Sequence, residues 1–416
     1  MGEIAVSKGG YGFPLNKQGN KSGDYPFFKV SDMNSPGNER FMQTSNNWID
    51  ADTLKELRAK TFPASAIVFP KIGAALLTNK KRLLVQESVV DNNVMAVVVI
   101  NQKECLPEFL YQWFLTLDLG RVASSGTVPS LTSGQIQKVY VPLPPLTEQR
   151  RIAHVLAAVQ TPIEQQARLI ALMRELKSAL MGKLFTEGLR REKQKETDIG
   201  LVPESWHVLS LDELLTRTQY GLSVRGEDTG SCGILRMTNQ VEGKIATDKM
   251  QYVNIGRKDF EKYRLEHGDI LFNRTNSLEL VGRTAIHDIE GEYVFASYLI
   301  RLNTDEKKLN PFFLNQFLNW DESQRRLKSI ALRAIGQSNI SATRLRTFQI
   351  PVPPLEEQTE IITNIETVIG KIELHRRRKE ILEELFRTLL QQLMTGQTRV
   401  NKLDFGAFEA GTITEE

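Results

Sequence analysis

The polar side chains that gather at Gly-, Ser- and Asn-rich boundaries of this chain suit recognition rather than reaction. In the second half they are Arg236 and Asn239, the run Asn273-Arg274-Thr275-Asn276 with Arg283, and Gln337-Ser338-Asn339. In the first half the matching places hold Lys29, Lys71, Lys80-Lys81-Arg82 and Ser124-Ser125-Gly126-Thr127. Arg and Lys can bond a guanine edge or a phosphate, and Asn and Gln an adenine edge. Such groups work from loops, which can reach into a groove. A plainer reading stands beside this one: Lys80-Lys81-Arg82 also fits a solvated turn, and Arg325-Arg326-Lys328 the outer face of a helix.

Catalytic chemistry finds no comparable footing. No G-x-x-x-x-G-K-[ST] phosphate loop occurs, and no glycine fingerprint follows a strand. The Pro-Pro pairs are followed by Leu, so there is no Asx-Pro-Pro-aromatic motif of the kind that holds a flipped adenine for methylation. His154, His207, His267, His287 and His375 are scattered, and neither Cys105 nor Cys232 sits in a metal-ligand spacing. No metal site and no bound cofactor are expected.

Composition sets wide bounds. A chain of 416 residues exceeds one compact core, so two or more domains are expected. With 41% hydrophobic and 25% charged residues it reads as folded protein. The net charge of +3 permits a polyanionic partner without requiring one. Two distant cysteines, no apolar run of membrane length and no apolar signal core together point to the cytoplasm.

The elements that must position these side chains come in two copies. Val141-Pro142-Leu143-Pro144-Pro145-Leu146-Thr147-Glu148-Gln149 recurs as Ile350-Pro351-Val352-Pro353-Pro354-Leu355-Glu356-Glu357-Gln358, an offset of 209 residues, half the chain. Carried without a gap to Thr186/Thr395, the match holds 16 identities in 46 positions. Upstream the copies match more faintly. Gly23–Asp32 parallels Gly230–Asn239, Ala66–Phe69 parallels Asp269–Phe272, Leu106–Leu110 parallels Leu309–Phe313, and Tyr11-Gly12-Phe13 parallels Tyr220-Gly221-Leu222. Each half is therefore a divergent domain followed by a better-kept segment.

The better-kept segments read as long amphipathic helices. Ile152, Val159, Ile163, Ile170, Met173 and Leu180 form one apolar stripe, and Ile361, Val368, Ile372, Leu382 and Leu389 the other. From Thr147 to Leu184 such a helix is roughly 57 Å long at ~1.5 Å per residue. A stripe of that length must be buried, and the simplest partner is its own copy, run antiparallel. Val94–Ile100 and Tyr293–Leu302 read as strands; Pro107–Leu119 and Pro311–Leu332 read as helices.

This layout resembles the specificity subunit of type I restriction–modification systems over essentially the whole chain. The resemblance rests on the two Pro-Pro-Leu-x-Glu-Gln segments, on the exits Lys183-Leu184-Phe185-Thr186 and Gln392–Arg399, and on the junction Asp198–Trp206. It implies an α+β chain: two mixed α/β target-recognition domains in pseudo-two-fold arrangement, separated by two long antiparallel helices. The expected boundaries are a first domain over 1–145, a central helix over 146–190, a linker over 191–199, a second domain over 200–354, a C-terminal helix over 355–396 and a tail over 397–416. It further implies double-stranded DNA as a partner, each domain reading half of a split site, and helices that set the spacer. Two methyltransferase subunits would dock on the helices and supply S-adenosylmethionine, and motor–nuclease subunits would join for restriction; the chain itself would catalyse nothing. A scaffold that gathers enzymes without reading DNA is the alternative.

The first domain departs from the second in one respect. The second opens with Pro203–Leu215 ahead of Tyr220, whereas the first has only ten residues before Tyr11. Either the tail Val400–Glu416 completes the first domain, which is the expectation adopted, or the N-terminus is shortened.

Overall fold

The computed structural model describes residues 1–124, 126–276, 279–334 and 337–400. The chain divides into two compact units, Met1–Arg168 with the chain from Arg376 onward, and Leu169–His375. Each unit holds one mixed α/β domain and parts of two long helices, the central helix Leu146–Glu187 and the C-terminal helix Leu355–Met394.

In the first unit the main sheet runs Ala5–Gly9, Val94–Val99, Ile67–Pro70, Arg82–Leu84, Phe41–Met42. Ile67–Pro70 is buried throughout and Val94–Val99 nearly so, because both faces are covered. Helix Pro107–Thr116 packs Leu110 and Phe114 on Ile67, Phe69 and Val97. A second sheet places Tyr25–Phe28 between Trp48–Ile49 and Val89–Val90. The second unit repeats this plan. Leu215–Tyr220, Leu299–Thr304, Ile270–Asn273, Thr284–Ile286 and Lys244–Ile245 follow in the same order, with Gln240–Val241 added at the edge. Cys232–Leu235 lies between Gln251–Val253 and Tyr293–Phe295, again one antiparallel and one parallel neighbour.

Strand register fixes the internal equivalences. Phe27 and Phe28 pair with Val89 and Val90 as Ile234 and Leu235 pair with Val294 and Phe295, so Lys29 corresponds to Arg236, as expected. Two of the fainter expected matches shift. Pro107 and Pro311 both open their helix, which moves that match by one residue. Tyr11 and Leu222 both bridge the parallel neighbour strand, which moves that match by two. Tyr293–Leu302 is two strands in different sheets, split by the turn in which Leu299 N–H bonds Ala296 O. Pro311–Leu332 is likewise two helices, Pro311–Asn319 and Asp321–Ser329, parted at Trp320, whose backbone is extended.

The long helices lie against each other within each unit. In the first, Ile152 and Leu156 cluster with Leu389, Leu390 and Leu393. In the second, Ile170 meets Val368 and Ile372 with Met173 and Leu180 alongside, while Met181, Leu184 and Phe185 join Ile361 and Ile365. In both units early residues of one helix meet late residues of the other, so the pair is antiparallel. Val159, Ile163 and Leu382 are half-buried. Leu172, Leu176, Leu374, Ile381 and Leu385 face solvent.

Gln149 and Gln358 explain why the repeated motif ends in Gln. Each is fully buried at the start of a long helix. Gln149 Nε2 donates to Pro144 O (2.9 Å) and Glu104 O (2.8 Å), and its Oε1 accepts from Leu106 N (2.9 Å). Gln358 repeats the pattern on Pro353 O, Lys308 O and Asn310 N at 2.8–2.9 Å. One buried side chain thus bonds three backbone groups and fastens a domain to its helix.

Candidate nucleic-acid interface

Sequence-distant candidates meet at the ends of equivalent strands. In the first domain Lys71 follows strand Ile67–Pro70, and its carbonyl accepts from Leu131 N (2.8 Å). Gly73 N bonds Pro129 O (2.8 Å), Ile72 bridges Ser130, and Ser124 Oγ bonds Ser130 O (3.1 Å). Lys71 and the Ser124–Ser130 loop therefore form one surface, on which Ser124 and Thr127 are exposed. Ser125 lies outside the described residues.

The second domain builds the same junction. Arg274 follows strand Ile270–Asn273, and its carbonyl accepts from Ile340 N (2.8 Å). Thr275 pairs with Asn339 and Asn276 with Ser338, in a three-strand ribbon with Gln337–Asn339 and Leu332–Ala334. Asn276, Gln337 and Ser338 take part in this ribbon through backbone pairing. Arg274 and Lys71 are structural equivalents, each a cation on a two-loop junction.

The other candidates divide. Lys29, Lys80 and Arg82 surround the turn Val30–Asn34: Lys29 N bonds Asp32 Oδ2 (2.7 Å), Lys80 Nζ bonds Asn34 Oδ1, and Arg82 Nη2 reaches Met33 O (3.3 Å). Burial lowers the Arg82 pKa from its ordinary value. Arg236 matches Lys29 and donates to Lys249 O (3.0 Å). Arg283 is exposed beside Glu279 (3.9 Å) and lines a cavity of about 580 Å³ with Arg174, Lys177 and Lys328.

Three side chains are committed to the interior. Lys81 is 2% exposed; its Nζ donates to Leu117 O (2.7 Å), and burial pushes its pKa down to about 8. Asn239 closes its own turn by accepting from Arg236 N (3.0 Å) and donating to Ala246 O (2.9 Å). Asn273 is buried and donates to Leu280 O (3.1 Å). All three spend their polar ends on backbone groups of their own domain.

Two features escaped the sequence reading. Tyr220 lies under Arg274, its ring centroid 4.8 Å from the guanidinium carbon. Gly9 holds the corresponding place beside Lys71. Only strand pairing reveals this, since Gly9 lies opposite Met95 and Tyr220 opposite Ile300.

The family described as the type I restriction modification DNA specificity domain matches residues 1–173 and 203–384. The chain belongs to this family. Type I specificity subunits are a non-catalytic class. The putative type I restriction enzyme MjaX specificity subunit of Methanocaldococcus jannaschii is 33% identical over 233 residues, 55% of this chain and 54% of that one. The chain thus spans about half the length of that relative. The MjaVIII specificity subunit of the same archaeon is 27% identical over 322 residues, covering 74% and 75%. The StySPI specificity subunit of Salmonella potsdam is 26% identical over 312 residues, covering 72% and 62%. The crystal structure of a type I restriction–modification S subunit from M. genitalium superposes with a TM-score of 0.59 over 94% of each chain at 15% identity, a likeness of fold. Among the described residues no helix is long and apolar enough to cross a membrane, and no group of three His, Cys, Asp or Glu could hold a metal ion.

Proposed function

We propose that this chain is the DNA sequence-specificity subunit of a type I restriction–modification complex, each domain reading one half of a split site. The observation that carries the reading is the duplicated junction: Lys71 with the Ser124–Ser130 loop, and Arg274 with the 337–339 ribbon, stand on equivalent strands with different side chains. A common frame with unlike polar tips is what two different half-sites require. Phosphate contacts would come from Lys29, Lys71, Lys80, Arg82, Arg236 and Arg283, and base contacts from Arg274 and the two junction loops. Ser124, Ser125, Thr127, Gln337, Ser338 and Asn339 belong to that second group.

The helices set the distance between the half-sites in this reading. Their exposed Leu172, Leu176, Leu374, Ile381 and Leu385 offer apolar ground for two methyltransferase subunits, which would bring S-adenosylmethionine. Motor–nuclease subunits would complete the restriction form, in the cytoplasm.

Footprinting the complex of this chain with its methyltransferase subunits tests the proposal. Two protected half-sites with an unspecified gap are expected. Two helical turns inserted after Met173 should change the gap and leave both half-sites intact. Uniform, salt-sensitive binding with no preferred sequence would favour a scaffold instead.

A further inference from the structure

Resting on the reading above, one difference between the two junctions assigns unequal work to their equivalent cations. Arg274 is pinned along its backbone, its N–H bonded to Tyr298 O (3.1 Å) and its carbonyl to Ile340 N. Its guanidinium lies over the Tyr220 ring, with Nη1 at 3.5 Å from Ser297 O. Tyr220 is itself held at both ends, by strand pairing to Ile300 and by its hydroxyl, which accepts from Ala342 N (2.9 Å). The plane of the guanidinium is therefore set before any ligand arrives.

Lys71 has no such platform. Gly9 occupies the place of Tyr220, and a Cβ there would stand 2.7 Å from Lys71 Nζ. Glycine clears the space into which the ammonium folds, but supplies no ring to orient it. An ammonium is also a compact point charge without a fixed fork.

We propose that Arg274 reads a guanine in the half-site of the second domain and that Tyr220 is its positioning residue, while Lys71 contributes attraction without base choice. A preoriented guanidinium matches the paired acceptors O6 and N7 of guanine in the major groove, and cation–π contact with Tyr220 lowers the ordering cost of that match.

The test is the methylated motif produced by the complete methyltransferase complex on DNA of random sequence. In Arg274→Lys, which keeps the charge, one G·C pair in one half-site should lose roughly 10- to 100-fold of its discrimination, the worth of a bidentate contact. Tyr220→Ala should relax the same pair more weakly, Tyr220→Phe should retain it, and Lys71→Arg should leave every position unchanged. If Arg274→Lys instead lowers methylation evenly with the motif intact, the assignment of Arg274 is overturned. If Tyr220→Ala leaves the pair fully discriminated, the role of Tyr220 is overturned. A wild-type complex that yields no bipartite motif would overturn the underlying function rather than this assignment.

Discussion

In the second domain, strand Gln349–Val352 is paired along its length by His207–Ser210; in the first, the corresponding residues 140–143 form no strand, and Tyr140 is 83% exposed. Met1 N bonds Val139 O as Leu211 N bonds Phe348 O, so Met1 takes the register position of Leu211. The motif carboxylates differ likewise. Glu357 is buried and accepts from Trp206 Nε1 (3.1 Å) and Leu189 N (2.8 Å), whereas Glu148 pairs with Arg399 (2.9 Å) near the surface. Only the glutamines are used identically. The frame is thus kept where one buried side chain bonds three backbone groups, and varies where a surface cation can serve instead.

The largest effects should fall on that shared element. Gln149→Ala and Gln358→Ala each remove three hydrogen bonds to backbone groups from a fully buried side chain and should cost about 2–4 kcal/mol in the denaturant transition of the domain concerned. The two losses should be alike; a clear inequality would break the equivalence of the frames. The carboxylates should separate instead. Glu357→Ala leaves the buried Trp206 N–H and the half-buried Leu189 N–H without this acceptor and should cost about 1–3 kcal/mol. Glu148→Ala removes a pair whose Arg399 is largely exposed and should cost under about 1 kcal/mol. Equal losses at the two carboxylates would contradict the account of how each domain closes its helix start.

Much of this frame was legible in the sequence because the Pro-Pro-Leu-x-Glu-Gln copies have one spacing and the long helices one period. The match of Lys29 with Arg236 was legible too, since a strand and a tight turn fix it. Loops of unequal length displaced the matches around Tyr11 and Pro107. The run Lys80-Lys81-Arg82 could not show that its middle member turns inward to Leu117, because that depends on a carbonyl 36 residues away. Nor could the sequence relate Tyr220 to Arg274, which meet only across a sheet. The tail beyond Val400, expected to complete the first domain, lies outside the described residues; up to that point Arg399 bonds Glu148 and Val400 is buried beside Phe109 and Ile152.

The central claim is that two domains read two half-sites independently. Replacing residues 200–349 with the corresponding domain of another family member, and sequencing the methylated motif, tests it most directly. The account predicts one half-site changed, the other kept, and the spacer unaltered. A change in both half-sites, or in neither, would contradict it.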